Sequence, residues 1–269
     1  MNLYKMFENL RNKMPLIQNI TNYVTSNDCA NILLACGASP VMTDDPKDSK
    51  DIAYISDGLT INIGTLNEKT VDSMISAGIV SNKLEHPIVL DPVGVGASSL
   101  RTQTVNRIIE NLRVTVIRGN VSEIRFLADG SDRPNGVDSS DKNEICYEDV
   151  ELFKKLSSRL ETIIVATSTV DIITDGNKVC FCKNGSSYME KVTGTGCQLS
   201  SVISAFISSN DLTFDATVAA VCSYGICGEI AKSRMSKADG NSSYRNYIID
   251  AMFNLTPEIL EKEAKYEIR

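Results

Sequence analysis

Ten residues, KVTGTGCQLS (191–200), set two glycines, two threonines and a cysteine into the core TGTGC directly ahead of an apolar stretch with helical period. A glycine turn that enters a helix leaves the first-turn amides without partners, and those amides stabilise negative charge. Three other segments carry matching chemistry. DPVGVGASS opens with Asp91, RGNVSE supplies Arg118, Asn120 and Glu123, and TSTVD supplies Thr167. With Thr193, Gly194, Thr195 and Gly196 of the turn, these are the parts that phosphoryl transfer uses: a cation against a polyphosphate, acids that hold Mg²⁺, often through water, and amides aimed at developing charge.

Each part also has a structural reading. An aspartate that ends a strand serves as a turn former, and Asn120 with Glu123 matches a helix-capping pair. Arg118 suits a surface position, and a Gly-x-Gly turn needs no ligand to explain it. What favours chemistry is the placement of all four at the ends of strand-like runs. The only histidine, His86, stands before Pro87 where a strand begins, at the edge opposite the carboxyl ends, so Ser-His-Asp and Cys-His mechanisms lack their base. No G-x-x-x-x-G-K-[ST] is present, and neither GTGCQL nor GVGASS has the third glycine of the dinucleotide fingerprint.

The elements that position these residues follow from periodicity. LTINI (59–63), PIVLD (87–91), VTVIRG (114–119) and TIIVAT (162–167) read as buried strands, alternating with helical segments over 26–36, 68–83, 102–112, 147–160, 196–208 and 215–235. Helices over 244–254 and 257–265 close the chain. This βαβ rhythm predicts an α/β fold with a mostly parallel central sheet flanked by helices on both faces, in which ligands bind beyond the carboxyl ends of the strands. DIITDGNKVCFCK breaks the rhythm, and its Asp175-Gly176 pair suits a type I′ hairpin, predicting antiparallel edge strands late in the chain. Residues 129–146, acidic and turn-rich, read as a surface loop after a short helix.

Composition narrows the function. The 269 residues are 42% hydrophobic, which suits one large domain spanning 1–269. A net charge of −7 with no basic stripe argues against nucleic acid and against an anionic membrane surface. The first fifteen residues lack the apolar core of a signal peptide, and no run approaches eighteen apolar residues, so a cytoplasmic protein is expected. Eight cysteines without a C-x-x-C pair read as reduced thiols rather than as a zinc site or disulfide frame.

Five ordered segments, NITNYVTSNDCANILLACGASPVM (19–42), INIGTL (61–66), VLDPVGVGAS (89–98), IRGNVSEI (117–124) and KVTGTGCQLSSVISAF (191–206), closely resemble the hydroxyethylthiazole kinases of the ribokinase-like superfamily, over roughly residues 14–260. The resemblance implies transfer of phosphate from ATP to 5-(2-hydroxyethyl)-4-methylthiazole, a salvage step toward thiamine. By motif, Arg118, Thr167 and Asn120 fall on the ATP side. Asp91 and Glu123 match the Mg²⁺ and water-holding group, and Gly194 to Cys197 the anion hole. Asn22, Met42, Gly64 and Thr65, with Gly194, match the thiazole pocket, which the family builds between neighbouring subunits of a homotrimer. Taken alone, Met42 would be a core filler and Asn22 a helix cap. A kinase for another small alcohol, such as a hydroxymethylpyrimidine or a sugar, or an inactive nucleotide-binding regulator, is the alternative. Many superfamily members place an aspartate base where Cys197 stands. A thiol at a helix N-terminus is expected to have a lowered pKa and to act as a weak base or as a polar wall.

Overall fold

The four aliphatic runs form the middle of a single nine-stranded sheet. The structure, a computed structural model, describes residues 1–130 and 146–269. Strands β1 (Leu16–Ile20), β2 (Ser39–Met42), β3 (Gly58–Asn62), β4 (Ile88–Asp91), β5 (Val116–Asn120), β6 (Ile163–Thr167), β7 (Asp171–Thr174), β8 (Val179–Cys182) and β9 (Tyr266–Ile268) pair in the order β2-β1-β3-β4-β5-β6-β7-β8-β9. The first six strands run parallel, and β7 to β9 add antiparallel at one edge.

Alternation along the strands explains the two helical layers. Val89, Val116 and Val165 face one core, while Leu90, Ile117 and Ile164 face the other. The first core is covered by α1 (Leu3–Lys13), α2 (Ser26–Cys36), α8 (Thr195–Ile207), α9 (Thr213–Arg234), α10 (Asn241–Asn254) and α11 (Pro257–Glu263). The second is covered by α4 (Glu68–Lys83), α5 (Ser99–Asn111), α6 (Val121–Asp129) and α7 (Tyr147–Leu160), with α3 (Pro46–Ala53) against α4. Helix α9 is long and apolar enough to cross a membrane by length and composition, yet most of that stretch is buried inside the protein.

Three strands lie outside the sequence expectation. In β1, Gln18 and Asn19 interrupt the apolar pattern but are buried, because Gln18 donates to Thr43 and the Ser49 carbonyl and Asn19 accepts from Ser201. Neighbouring β2 is short and half-exposed, as is β9. The β7–β8 connection is not a two-residue type I′ turn. Thr174 pairs with Val179 across four residues, and Asp175 stays out of the left-handed region while its carboxylate accepts from the amides of Asn177 and Lys178. Most of the expected 129–146 loop lies outside the described residues.

Candidate active site at the carboxyl edge of the sheet

Parallel pairing brings the strand ends into one row. Asn62 and Asp91 are register partners on β3 and β4, and Asn120 and Thr167 are register partners on β5 and β6. Asp91 is fully buried, and its Oδ2 accepts from Asn62 Nδ2 (2.8 Å) and the Ser200 hydroxyl (2.9 Å) and lies 3.6 Å from Arg118. Its Oδ1 has no partner. Burial pushes the carboxyl up to about 6, against the pull of Arg118, and Glu123 adds to the rise.

Asn62 is the hub of the row, and every polar valence of its side chain is used. Its oxygen accepts from Asn22 Nδ2 (2.9 Å) and the Gly64 amide (2.9 Å); its nitrogen donates to Asp91 and to Cys197 Sγ (3.2 Å). Asn22 also donates to Cys197 (3.3 Å), and its oxygen accepts from the Thr25 amide (3.0 Å). Asn22 therefore combines the turn-capping role with a place in the site. The sulfur thus receives two N–H groups, yet the expected lowering of its pKa is overturned. Burial and the charge of Asp91 raise the thiol more than Thr25, Arg118 and Asn22 lower it. The helix N-terminus does not compensate for the loss of water.

Gly194 opens α8 with φ +90°, and a Cβ there would collide with Thr25. At Gly196 a Cβ would strike the Arg118 guanidinium, so the missing side chain lets the arginine lie against the first turn of α8. The amides of Thr195, Gly196 and Cys197 have no carbonyl one turn earlier to receive them. The Thr195 hydroxyl donates to the Met189 carbonyl, anchoring this turn to the 3₁₀ turn over Ser187–Lys191. Thr193 stands exposed ahead of the turn.

Arg118 donates to the Thr167 hydroxyl (2.8 Å), which in turn donates to the Gly119 carbonyl (3.2 Å); its Nε is buried without a partner. Beside it opens a cleft of about 570 Å³, bordered by Arg118, Asn120, Thr167 and Asp171 on the strand side and by Lys183–Ser187, Met189, Glu190, the first turn of α8 and α9 on the other. Asp171 accepts from the Ser168 amide (2.9 Å), and burial pushes its carboxyl up to about 7 despite that bond and Arg118. Asn120 and Glu123 form the reciprocal cap of α6. Asn120 accepts from the Glu123 amide, and Glu123 Oε2 accepts from the Asn120 amide. Glu123 Oε1 accepts from the Gly94 amide (2.8 Å), so both of its oxygens are engaged with backbone.

On the opposite flank, Gly64 packs so closely on Asn22 that a Cβ would meet its side chain, and the Thr65 hydroxyl accepts from the Tyr23 amide. Met42 is half-buried at the end of β2, one strand beyond Asn19 and β1. The structure thus joins Asn22, Gly64, Asp91, Arg118, Thr167 and Cys197 into one connected set, with Met42 and Thr65 at its margin. Among the described residues no three His, Cys, Asp or Glu side chains converge as a metal cage.

Sequence reasoning passed over Asn62, Ser200 and Asp171. Asn62 stood in the quoted INIGTL as a polar residue ending an apolar run, the same signal that marked Asp91. A larger depression of about 830 Å³, with Lys13, Asp57, His86 and Arg113 on its walls, opens at the amino edge and contains none of the motif residues.

The model of the Hydroxyethylthiazole kinase family matches residues 7–258. A hydroxyethylthiazole kinase of Clostridium acetobutylicum is 52% identical over 271 residues, covering 98% of this chain and 99% of its own, and one of Clostridium beijerinckii is 45% identical over 97% and 95%. Among solved structures, a hydroxyethylthiazole kinase protein from Pyrococcus horikoshii OT3 superposes with a TM-score of 0.87 at 30% identity, covering 99% of this chain and 98% of its own. The pyridoxal kinase of Staphylococcus aureus, in complex with AMP-PCP and pyridoxal, shares the fold at a TM-score of 0.64 and 14% identity, over 95% of this chain and 99% of its own.

Proposed function

Because this chain belongs to the hydroxyethylthiazole kinase family, we propose that its carboxyl-edge row takes ATP with Mg²⁺ on the β5–β8 side and the thiazole alcohol on the β1–β3 side. The enzyme phosphorylates the hydroxyl of 5-(2-hydroxyethyl)-4-methylthiazole, giving the thiazole phosphate used in thiamine salvage. The alcohol oxygen forms a bond to the γ-phosphorus, the bond to the bridging oxygen breaks and ADP leaves, while the hydroxyl proton passes late to the transferred phosphoryl group or to water. The observation that carries this reading is the unbroken hydrogen-bonded line Asn22–Asn62–Asp91, joined through Asp91 to Arg118 and Thr167, which crosses five strand ends from one flank to the other.

Roles follow from what each group has free. Arg118 has an unpartnered Nε and is steered by Thr167, so it faces the transferring phosphoryl group, and the first-turn amides of α8 stabilise charge on the same group. Asp91 Oδ1 is the carboxylate oxygen that would hold Mg²⁺, an ion normally held by one or two carboxylates with phosphates and water; Glu123, whose oxygens accept from two backbone amides, would act on it only through water. Bound Mg²⁺ supplies neutralisation of polyphosphate charge. Cys197 is a polar wall: a neutral thiol held by two amides leaves little thiolate to act as base. In a loose transition state the hydroxyl loses its proton late, so the chemistry tolerates a weak base. Gly64, Thr65, Met42 and Asn22 line the thiazole side, which the homotrimer completes with a neighbouring subunit. The exposed Tyr23 and Val24 beside Thr65 suit such a contact. The whole chain acts as one kinase domain in the cytoplasm.

A coupled ADP-release assay with the thiazole alcohol tests the reading. Turnover that requires the thiazole alcohol is expected; preference for a hydroxymethylpyrimidine or a sugar, or no turnover by folded protein, overturns it.

A further inference from the structure

One guanidinium outside the row ties its loops together. Arg101, half-buried in the first turn of α5, donates from one nitrogen to the carbonyls of Ile63 (3.1 Å) and Val93 and from the other to the carbonyl of Gly64 (2.8 Å). The peptide unit that presents the Val93 oxygen also presents the Gly94 N–H, and that hydrogen goes to Glu123. A single peptide plane is therefore held by a cation on its oxygen and a carboxylate on its hydrogen. Through Glu123 Oε2 and the Asn120 amide the connection reaches the end of β5. Two of the three carbonyls belong to the loop that follows Asn62.

We propose that Arg101 is the positioning residue of the acceptor side. It fixes the 63–65 loop against the Asp91–Gly94 loop, and so sets the alcohol pocket in register with the phosphoryl-transfer centre. This rests on the reading that Gly64 and Thr65 line the thiazole pocket. Arginine is required because three carbonyls lie around one planar fork; an ammonium is a point charge that does not span them.

The test uses Arg101→Ala and Arg101→Lys in the full chain. Wild-type Ile63 and Gly64 amides are protected by the Asp91 carbonyl and by Asn62 Oδ1. Loss of hydrogen bonds to a charged group is expected to speed exchange at both amides by about tenfold or more while α8 and α9 exchange as before. The KM for the thiazole alcohol should rise about tenfold with the KM for ATP within about twofold, and Arg101→Lys should fall between. Unchanged exchange at residues 63 and 64, or equal shifts in both KM values, overturns the proposal. If the alanine variant does not fold, Arg101→Lys and Arg101→Gln carry the same two measurements. Wild-type protein inert toward the thiazole alcohol overturns the functional reading instead, and the exchange measurement still decides whether Arg101 holds the loop.

Discussion

Two arginine–aspartate pairs draw their arginines from consecutive elements, β5 and α6, and differ in every respect that bears on their use. Arg125 and Asp149 join α6 to α7 as a fork, with both bonds 2.7 Å and both side chains 3% exposed. Burial alone would raise Asp149, but the bonds from Arg125 and the Cys146 amide outweigh it and hold the carboxyl below its ordinary value. Arg118 and Asp91 are 3.6 Å apart, with one carboxylate oxygen and one guanidinium nitrogen left over, and there burial wins and raises the carboxyl. The same two residue types make a strut where both carboxylate oxygens are bonded. They leave valences for a ligand where one carboxylate oxygen and one guanidinium nitrogen have no partner.

Removing each arginine should separate the two jobs. Arg125→Met leaves the Asp149 charge buried without its cation and is expected to cost about 3–5 kcal/mol in urea unfolding, with kcat of the folded fraction retained. Arg125→Met with Asp149→Leu should recover most of the loss, since a packed apolar pair replaces a buried ion pair at little cost. Arg118→Met should weigh the other way, lowering kcat by about 10²-fold or more with a smaller shift of the unfolding midpoint than Arg125→Met, because Asp91, already raised by burial, can take up a proton. If both arginines prove equally important to stability, the contrast fails.

Cys197→Ala sharpens the site side. As a wall, the thiol should cost less than about tenfold in kcat when removed, below the 10² to 10⁴ of a lost effective base. A loss of about 10²-fold or more, with the pH profile displaced, would restore the base role.

Smallest in size is a pH effect at Asp171. Its folded pKa, about 7, lies above the unfolded value, so the folded chain binds the extra proton between those values. Its contribution to stability therefore falls as pH rises toward 7 and is most unfavourable above it. Asp171→Asn should raise Tm relative to wild type at pH 8, and the gap should close toward pH 5. Asp149 has the opposite sign: its contribution is present above the ordinary carboxylate pKa and is lost as pH falls through the depressed one. Parallel Tm profiles for wild type and Asp171→Asn would remove the assigned shift.

Residue order alone revealed much of this protein. Aliphatic runs ending in Asp91, Arg118 and Thr167 and the TGTGC turn located the strand ends, the helix start and the family, because period, turn chemistry and motif are local properties. Strand β1 was hidden because Gln18 and Asn19 are polar yet buried, and only partners from elsewhere in the chain, Thr43, Ser49 and Ser201, make that burial tolerable, while β2 was hidden because it is short and half-exposed. The tertiary structure alone decided which strand ends touch. Asn62 meets Asp91 because β3 pairs with β4 in that register; Asn62 reaches Cys197 and Asp91 reaches Ser200 because α8 packs across them. The thiol's pKa followed the same rule. A helix N-terminus is legible in sequence and argues for lowering, whereas loss of water and the nearby Asp91 charge depend on packing, and they are the larger effects.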